Sequence, residues 1–403
     1  MTERDAPEAP PGLELDPPAA PPLPGTDRWR VPLSDVRLSA AVVDTAREAL
    51  ESGWLSSGPR VREFEEAMAS YVGTRHAVAC SSGTAALELA YAALELGEGD
   101  EIAMPSLTFV AGANGARLRG AEPVLCDVIG DDDLTIDPDS IRRQTSDRTR
   151  AVVVMHYGGH PCRSDVLDAA REEGLVVIED AAHALGADGL PGTCGTWGDV
   201  ACFSFFANKN LPLGEGGMLV TDDPELAERA LRLRSHNMTT ATWERHTGAA
   251  PTYDVRSPGH NFRFDEPRAA MGTAMLRELT AKNELRGHLT ARYRELLANI
   301  EGVSMPFASR GADERPAHHL AVGVLEPGRD RDAVADRLRA AGIQTSVHYP
   351  PTHRFGAHAG ARADVARTED LADRIITLPL FPHMEPGQVD LVCEVLAEAL
   401  AAA

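Results

Sequence analysis

Short apolar runs alternate with helical patterns between Trp29 and about Val220. Runs such as Val152-Val153-Val154 are apolar at consecutive positions, which is typical of parallel strands covered on both faces. After another run, Leu87, Tyr91 and Leu94 recur at helical spacing. This alternation predicts an open, mostly parallel α/β sheet with right-handed crossovers. The runs predicted as strands are Ala77–Cys80, Glu101–Met104, Pro123–Cys126, Ala151–His156, Leu175–Glu179 and Val200–Phe205.

The pattern changes after Asn261, where a long helical region spans about Glu266 to Ile300. A small α+β unit is predicted to follow, with a strand near Leu320–Val324, a helix near Arg331–Ala341, a strand near Ile343–His348, and a final helix bearing Val389, Val392, Leu396 and Leu400 on one stripe. At the other end, residues 1–25 hold eight of the 28 prolines, which is typical of a disordered segment. We therefore predict a disordered proline-rich arm (1–28), a large domain (29–280), and a connecting helix with a small C-terminal domain (281–403).

Composition narrows the classes of function. The formal charge of −22 over 403 residues argues against nucleic-acid binding, which needs a basic face. No run approaches the roughly 20 apolar residues of a membrane span, and the N-terminus lacks a secretory signal pattern. Six cysteines without a C-x-x-C pair predict reduced, mostly buried thiols, without a disulfide framework or metal site. These features predict a cytoplasmic protein without a nucleic-acid or membrane partner.

A turn built from Ser81-Ser82-Gly83-Thr84 lies between a predicted strand and a predicted helix. Free N–H groups at a helix N-terminus and small side chains favour the binding of a phosphate group. On these four residues alone, an ordinary helix cap is the more frequent explanation.

An acidic pair, Glu179-Asp180, ends the apolar run that contains Val177-Ile178. The carboxyl ends of strands in an open α/β sheet face the ligand crevice. An aspartate there can pair with a protonated ring nitrogen and keep it charged. The alternative, a helix cap that follows a strand, is equally compatible with the local sequence.

Lysine is rare in this chain: of 39 basic residues only two are lysines, Lys209 and Lys282. Lys209 follows the strand that ends near Ser204 and precedes the glycine-rich segment Gly214-Glu215-Gly216-Gly217. Lysine forms Schiff bases with carbonyl cofactors, and burial lowers its pKa so that it acts as nucleophile and base. A solvated loop lysine is the usual alternative. Lys282 lies in a polar helical run and is predicted to be a surface residue.

Taken together, the motifs resemble the sugar aminotransferase family named for its DegT, DnrJ, EryC1 and StrS members. The resemblance extends from about Val31 to the C-terminus and implies the type I fold of pyridoxal-phosphate (PLP) enzymes. The motifs are Ser52-Gly53-Trp54-Leu55-Ser56-Ser57-Gly58-Pro59, Ser82-Gly83-Thr84-Ala85-Ala86-Leu87, Pro105-Ser106-Leu107-Thr108-Phe109, Glu179-Asp180-Ala181-Ala182-His183, Ser204 to Gly217, Asn261-Phe262-Arg263 and Val347-His348-Tyr349-Pro350.

The resemblance implies roles around the PLP ring. Lys209 would hold the cofactor as a Schiff base and later move the substrate proton. Asp180 would pair with the pyridine nitrogen, which makes the ring an electron sink. Phe109 would stack on one face of the ring, and His183 would lie near its oxygen edge.

Further roles concern the phosphate group and the substrate. Ser82, Gly83, Thr84 and Ser204 would hold the phosphate, and Asn261 would reach it from the partner subunit, which implies a homodimer with shared active sites. Candidates for lining the substrate pocket are Trp54, Ser56, Arg263, His319, His348 and Tyr349. For Trp54 and His319 a plain packing role is an open alternative.

The implied reaction moves an amino group from glutamate to a nucleoside-diphospho-4-keto-6-deoxyhexose, with deoxythymidine as the expected nucleoside. A branch of the family with histidine in place of the lysine consists of dehydratases, so Lys209 favours amino transfer. His183 and the Glu179–Ala184 segment resemble enzymes that aminate C4. The alternatives are amination of a C3 keto-sugar or a cyclitol, a carbon–sulfur lyase or decarboxylase that uses Cys194, and a non-catalytic PLP-binding sensor.

Overall fold

The computed structural model describes residues 29–240, 242–248, 252–311 and 313–402. The predicted arm at residues 1–28 lies outside the described residues. The described strands are β1 (His76–Cys80), β2 (Glu101–Pro105), β3 (Glu122–Cys126), β4 (Val128–Gly130), β5 (Asp133–Ile136), β6 (Thr149–Met155), β7 (Val176–Asp180), β8 (Val200–Ser204), β9 (Gly217–Thr221), β10 (Val303–Ser304), β11 (Ala321–Leu325), β12 (Arg362–Ala363) and β13 (Ile375–Leu378).

Eight of these strands form one large sheet in the order β1-β9-β8-β7-β6-β2-β3-β12. β9 is antiparallel to both of its neighbours, and the other pairings are parallel. The six predicted strands occur within two residues of their predicted bounds. The prediction of a mostly parallel α/β sheet is therefore confirmed, with β9 as the antiparallel member.

Helices cover both faces of the sheet. The described helices are α1 (Ala40–Glu51), α2 (Pro59–Val72), α3 (Gly83–Ala93), α4 (Ala111–Leu118), α5 (Pro138–Gln144), α6 (Asp165–Glu172), α7 (Pro224–Leu233), α8 (Thr242–His246), α9 (Glu266–Leu297), α10 (Arg331–Ala340), α11 (Ala366–Leu371) and α12 (Pro386–Ala401). Val153 belongs to the buried cluster that contains α3, whereas Val152 and Val154 belong to a cluster on the opposite face. Both faces of the strands are buried, as their continuous apolar runs predict.

The C-terminal part forms a smaller unit around the sheet β10-β11-β13. Val389, Val392, Leu396 and Leu400 of α12 are all buried against it, which confirms the predicted final helix. The predicted strand at Ile343–His348 is wrong. Only Ile343 and Ser346 form isolated bridges, to Val31 and Thr377, because the segment leaves the sheet and carries His348 and Tyr349 into a cavity.

The long helix α9 connects the two units. It begins where the Asp265 side chain accepts a hydrogen bond from the Arg268 N–H, and it continues without interruption to Leu297. The predicted domain boundary between residues 280 and 281 falls inside α9. In addition, β12 pairs with β3 of the large sheet. The division at residue 280 stays a proposal.

Candidate active site

A cavity of about 410 Å³ opens where β7 and β8 end and α3 begins. It brings together residues from most of the length of the chain. The predicted site residues that line it are Ser82, Gly83, Thr84, Phe109, Asp180, His183, Ser204, Lys209, His348 and Tyr349. This position, at the carboxyl ends of parallel strands, is the usual ligand crevice of open α/β sheets.

The turn before α3 is tightly packed against two strands. Ser82 is the N-cap of α3, and its Oγ accepts a hydrogen bond from the Ala85 N–H at 3.0 Å. A Cβ atom on Gly83 would lie 2.8 Å from the Cβ of Ser204, and one on Gly217 would lie 2.2 Å from the Ser82 carbonyl oxygen. Only backbone fits here, so N–H groups at the start of α3 border the cavity and could hold a phosphate.

Asp180 and Lys209 form the polar centre of the cavity. Asp180 ends β7 and is buried, and burial raises the pKa of its carboxyl, opposed by the Ala182 N–H and by Lys209. Lys209 lies in the turn after β8, where its N–H donates to the Phe206 carbonyl oxygen at 2.9 Å. Burial lowers the pKa of Lys209 to about 8, opposed by the charge of Asp180. A neutral amine is thus accessible near neutral pH.

Behind Asp180, the neighbouring Glu179 is held in a buried hydrogen-bond network. Its carboxylate accepts from the backbone N–H groups of Gly195, Trp197 and Gly198 at 2.6 to 2.9 Å. His156 Nδ1 accepts from the Cys162 N–H, so its Nε2–H donates to Glu179 at 2.8 Å. This network fixes the end of β7 from which Asp180 enters the cavity. The sequence carried no signal for His156.

Three histidines cluster at one side of the cavity, where His183 follows β7 and where His319 and His348 come from the C-terminal unit. Burial lowers the pKa of His183 and His319 well below the ordinary value, and lowers that of His348 to about 4. All three are therefore neutral at neutral pH. His183 and His348 line the cavity, whereas His319 packs behind it, 4.4 Å from the His183 ring, with Nδ1 2.9 Å from Asn210 Oδ1.

Other predicted site residues lie outside this cavity. The Trp54 ring contacts Trp243 and His246, with centroids 5.1 and 4.3 Å apart. Arg263 donates to Ser235 Oγ at 3.1 Å and borders a separate groove. Ser56 is half-buried near Trp54, and Asn261 is exposed. The single chain thus does not bring Trp54, Ser56, Arg263, His319 or Asn261 to the cavity surface.

Lys282 differs from its sequence-based assignment, and Cys194 does not support the alternative of a lyase or decarboxylase. Lys282 is not a surface lysine: its side chain is 15% exposed and forms a 2.8 Å ion pair with Glu278. Cys194 is buried, and burial raises the pKa of its thiol to about 11. It does not line the cavity, which argues against its use as a nucleophile.

Some lining residues were missed by sequence reasoning. These are Leu87, Ala111, Met155, Ala182, Cys202, Phe206, Asn208 and Glu215. Phe206, Asn208 and Glu215 belong to the Ser204 to Gly217 motif, and their proximity to Lys209 along the chain is the signal that could have identified them. Met155 ends β6, and only its pairing beside β7 brings it to the cavity.

The cavity fits pyridoxal phosphate. It offers an accessible amine at Lys209, a buried acid at Asp180, and a turn at Gly83 too narrow for any side chain. Among the described residues no three His, Cys, Asp or Glu side chains are placed to hold a metal ion. The fold and the site together are those of a type I PLP enzyme.

Comparison with known proteins identifies the family. The model of the DegT/DnrJ/EryC1/StrS aminotransferase family matches residues 37–397, so the chain belongs to this family. SpsC, a spore coat polysaccharide biosynthesis protein of Bacillus subtilis, is 39% identical over 369 residues, which cover 88% of this chain and 93% of SpsC. The protein is therefore a PLP-dependent sugar aminotransferase.

Solved structures share the fold. DesI, determined in the presence of its TDP-sugar product, is 33% identical with a TM-score of 0.82, covering 93% of each chain. Spr1654 from Streptococcus pneumoniae, in its PLP-form, is 25% identical with a TM-score of 0.85, covering 92% of this chain and 99% of that one.

None of the described helices is long and apolar enough to cross a membrane.

Proposed function

We propose that the protein transfers an amino group from glutamate to C4 of a dTDP-linked 4-keto-6-deoxyhexose. The observation that carries the proposal is the convergence of Lys209, Asp180 and His183 in one cavity. DesI, which was determined with a TDP-sugar product, supports the nucleotide. The resemblance of the His183 segment to enzymes that aminate C4 supports the position.

The proposed roles follow from charge and burial. When bound, PLP supplies an aldehyde that links covalently to an amine and a ring that accepts electron density. Lys209 would bind the aldehyde carbon, and its neutral Nζ would take and return the substrate proton. Asp180, whose carboxyl is buried in the cavity, would hold a proton on the ring nitrogen of the cofactor.

The remaining cavity residues bind and orient. The turn at Ser82, Gly83 and Thr84, together with Ser204, holds the phosphate through backbone N–H groups and hydroxyls. Phe109 would cover one face of the cofactor ring. His348, which is neutral, and Tyr349 line the cavity, where they would exclude water and offer hydrogen bonds to the ligand.

A homodimer completes the site in this proposal. Asn261 and Arg263 lie outside the cavity of their own chain, and Asn261 is exposed. Phe109 and Phe206, at the cavity, are 52% and 46% exposed in the single chain, although large apolar side chains favour burial. Both observations support a partner subunit that covers the cavity and supplies Asn261 and Arg263 to it. The six buried, free thiols support a reducing, cytoplasmic setting.

The test is a direct assay of the proposed reaction. The pure protein is incubated with PLP, glutamate and dTDP-4-keto-6-deoxyglucose, and NMR identifies the carbon that carries nitrogen. We expect one 2-oxoglutarate for each sugar aminated at C4, and no product from Lys209→Ala.

Three outcomes would contradict parts of the proposal. Nitrogen at C3 of a 3-keto isomer, or on a cyclitol, would refute the position while retaining the family activity. Failure with every nucleotide-linked keto-sugar, despite bound PLP, would favour a non-catalytic sensor.

A further inference from the structure

The hydrogen bonds around His183 determine which of its nitrogens carries the proton. The backbone N–H of Gly158 donates to His183 Nδ1 at 3.3 Å. The other ring nitrogen, Nε2, lies 2.8 Å from the Tyr349 hydroxyl oxygen. Burial keeps the pKa of His183 well below its ordinary value, so the ring is neutral and has a single N–H group. Since Nδ1 accepts a hydrogen bond, that N–H is at Nε2.

The proton on His183 Nε2 determines how the O–H bond of Tyr349 is oriented. The Nε2–H group donates to the hydroxyl oxygen, so the phenol proton must point away from His183. Burial raises the pKa of Tyr349 well above its ordinary value, and the phenol therefore keeps its proton. No acceptor for this proton is found among the described residues, and the Tyr349 side chain lines the cavity.

The backbone of Tyr349 is also held in place. The preceding carbonyl oxygen, of His348, accepts a hydrogen bond from the Tyr157 hydroxyl. The His348 ring is tied to Thr377 Oγ1 at 2.9 Å. The Tyr349 ring packs between Phe109 and His183, with centroids 5.7 and 5.9 Å away. The hydroxyl is therefore a fixed donor and not a mobile one.

We propose that Tyr349 donates a hydrogen bond to an oxygen atom of the ligand in this cavity, and that His183 is the positioning residue that directs it. The proposal rests on the proposed function, which supplies two such oxygen atoms: the phenolic oxygen attached to the cofactor ring and the keto oxygen of the sugar. A fixed donor at either atom stabilises negative charge that develops there. If His183 Nε2 instead accepted a hydrogen bond from Tyr349, the phenol proton would point to His183 and not to the ligand.

The arrangement of protons is tested without any turnover. Long-range ¹H–¹⁵N NMR of the neutral holoenzyme distinguishes the two tautomers, and the His183 signal is the one that disappears in His183→Gln. We expect the tautomer protonated at Nε2. The tautomer protonated at Nδ1 would overturn the proposal and would leave the proposed function intact.

Variants then test the direction of the bond and identify the acceptor. Tyr349→Phe removes only the hydroxyl group. We expect kcat/KM for the keto-sugar to fall about 10-fold, which is the scale of one hydrogen bond. His183→Leu should cause a similar loss, whereas His183→Gln should recover part of it, because its amide accepts at one end and donates at the other. The double variant Tyr349→Phe/His183→Leu should be little worse than either single variant.

The readouts separate the two acceptors. A changed absorption band or band titration of bound PLP in Tyr349→Phe, without sugar, would assign the bond to the cofactor. An unchanged spectrum with a changed KM or kcat for the keto-sugar would assign it to the substrate. A folded Tyr349→Phe that matches the wild type in spectrum, KM and kcat would overturn the proposal, as would additive losses in the double variant.

Discussion

At the scale of single residues, the two lysines of this chain differ in their surroundings more than in their exposure. Lys282 forms an ion pair with Glu278, with the two side-chain atoms 2.8 Å apart. Lys209 lines the cavity of about 410 Å³, where burial of its amine is opposed by the charge of the buried Asp180. Burial prevails over the attraction of Asp180, so the pKa of Lys209 falls from 10.5 to about 8. The environment, not the residue type, separates a nucleophile from a structural cation.

This difference predicts the pH dependence of cofactor capture. With a pKa of about 8, roughly a tenth of the Lys209 amine is neutral at pH 7, and the fraction rises with pH. We expect the rate of PLP capture by the apoenzyme to increase through about pH 8 and then level off. Borohydride reduction followed by peptide mapping should place the label on Lys209. Label on Lys282, or capture that keeps rising toward pH 10, would contradict the assignment.

At the scale of elements, the phosphate turn depends on an antiparallel strand that the repeating α/β pattern does not contain. β9 lies between β1 and β8, and its first residue, Gly217, meets the Ser82 carbonyl oxygen. The turn before α3 is therefore shaped by a segment far along the chain, just beyond Lys209. The hairpin of β8 and β9 therefore positions both the turn proposed to hold the phosphate and the lysine proposed to bind the cofactor.

A methyl group at this contact should displace the turn. In Gly217→Ala the new Cβ would lie 2.2 Å from a carbonyl oxygen, and backbone cannot move aside as a flexible side chain does. Overpacking of this kind costs about 1–3 kcal/mol, so PLP affinity should fall roughly 10-fold or more. Equilibrium titration of the apoenzyme with PLP measures this affinity. Gly387→Ala, with open space around its Cβ position, is the control and should bind like the wild type. Unchanged affinity in Gly217→Ala would mean that this contact does not set the turn.

At the scale of the whole molecule, a net charge of −22 has to be reconciled with the anionic substrate of the proposed function. Overall electrostatics would repel the proposed nucleotide sugar, so local N–H groups and arginines would have to bind it. Among the residues that the structure describes, no arginine lines the cavity of the single chain. A partner subunit that supplies Arg263 would provide the missing positive charge, which is a further physical reason for a shared site.

Mixed dimers test the shared site. Lys209→Ala disables the cavity of its own chain, whereas Asn261→Asp/Arg263→Ala would disable only the cavity of the partner. In a heterodimer one site then carries both defects and the other carries none, so activity should return to up to about half of the wild-type value. The two inactive proteins are mixed after reversible dissociation, and heterodimers are verified by differential tags. Verified heterodimers without activity would show that each site is built from one chain.

The sequence by itself determined the local features of this protein. Consecutive apolar residues specify buried strands, and Ser82 before an apolar helix specifies a cap, because both depend on neighbours along the chain. The six strands, α9, α12 and the family motifs with Lys209 and Asp180 in their centre were therefore predictable.

The tertiary structure alone decided which distant residues meet. The order of strands, the insertion of β9 and the release of Ile343–His348 from the sheet depend on packing between segments that local periodicity does not encode. His183 and Tyr349 are 166 positions apart, and only the fold joins them and fixes the proton between them. Hydrogen bonds and desolvation act through space, so the proton positions and the pKa of Lys209 followed from the folded chain and not from its motifs.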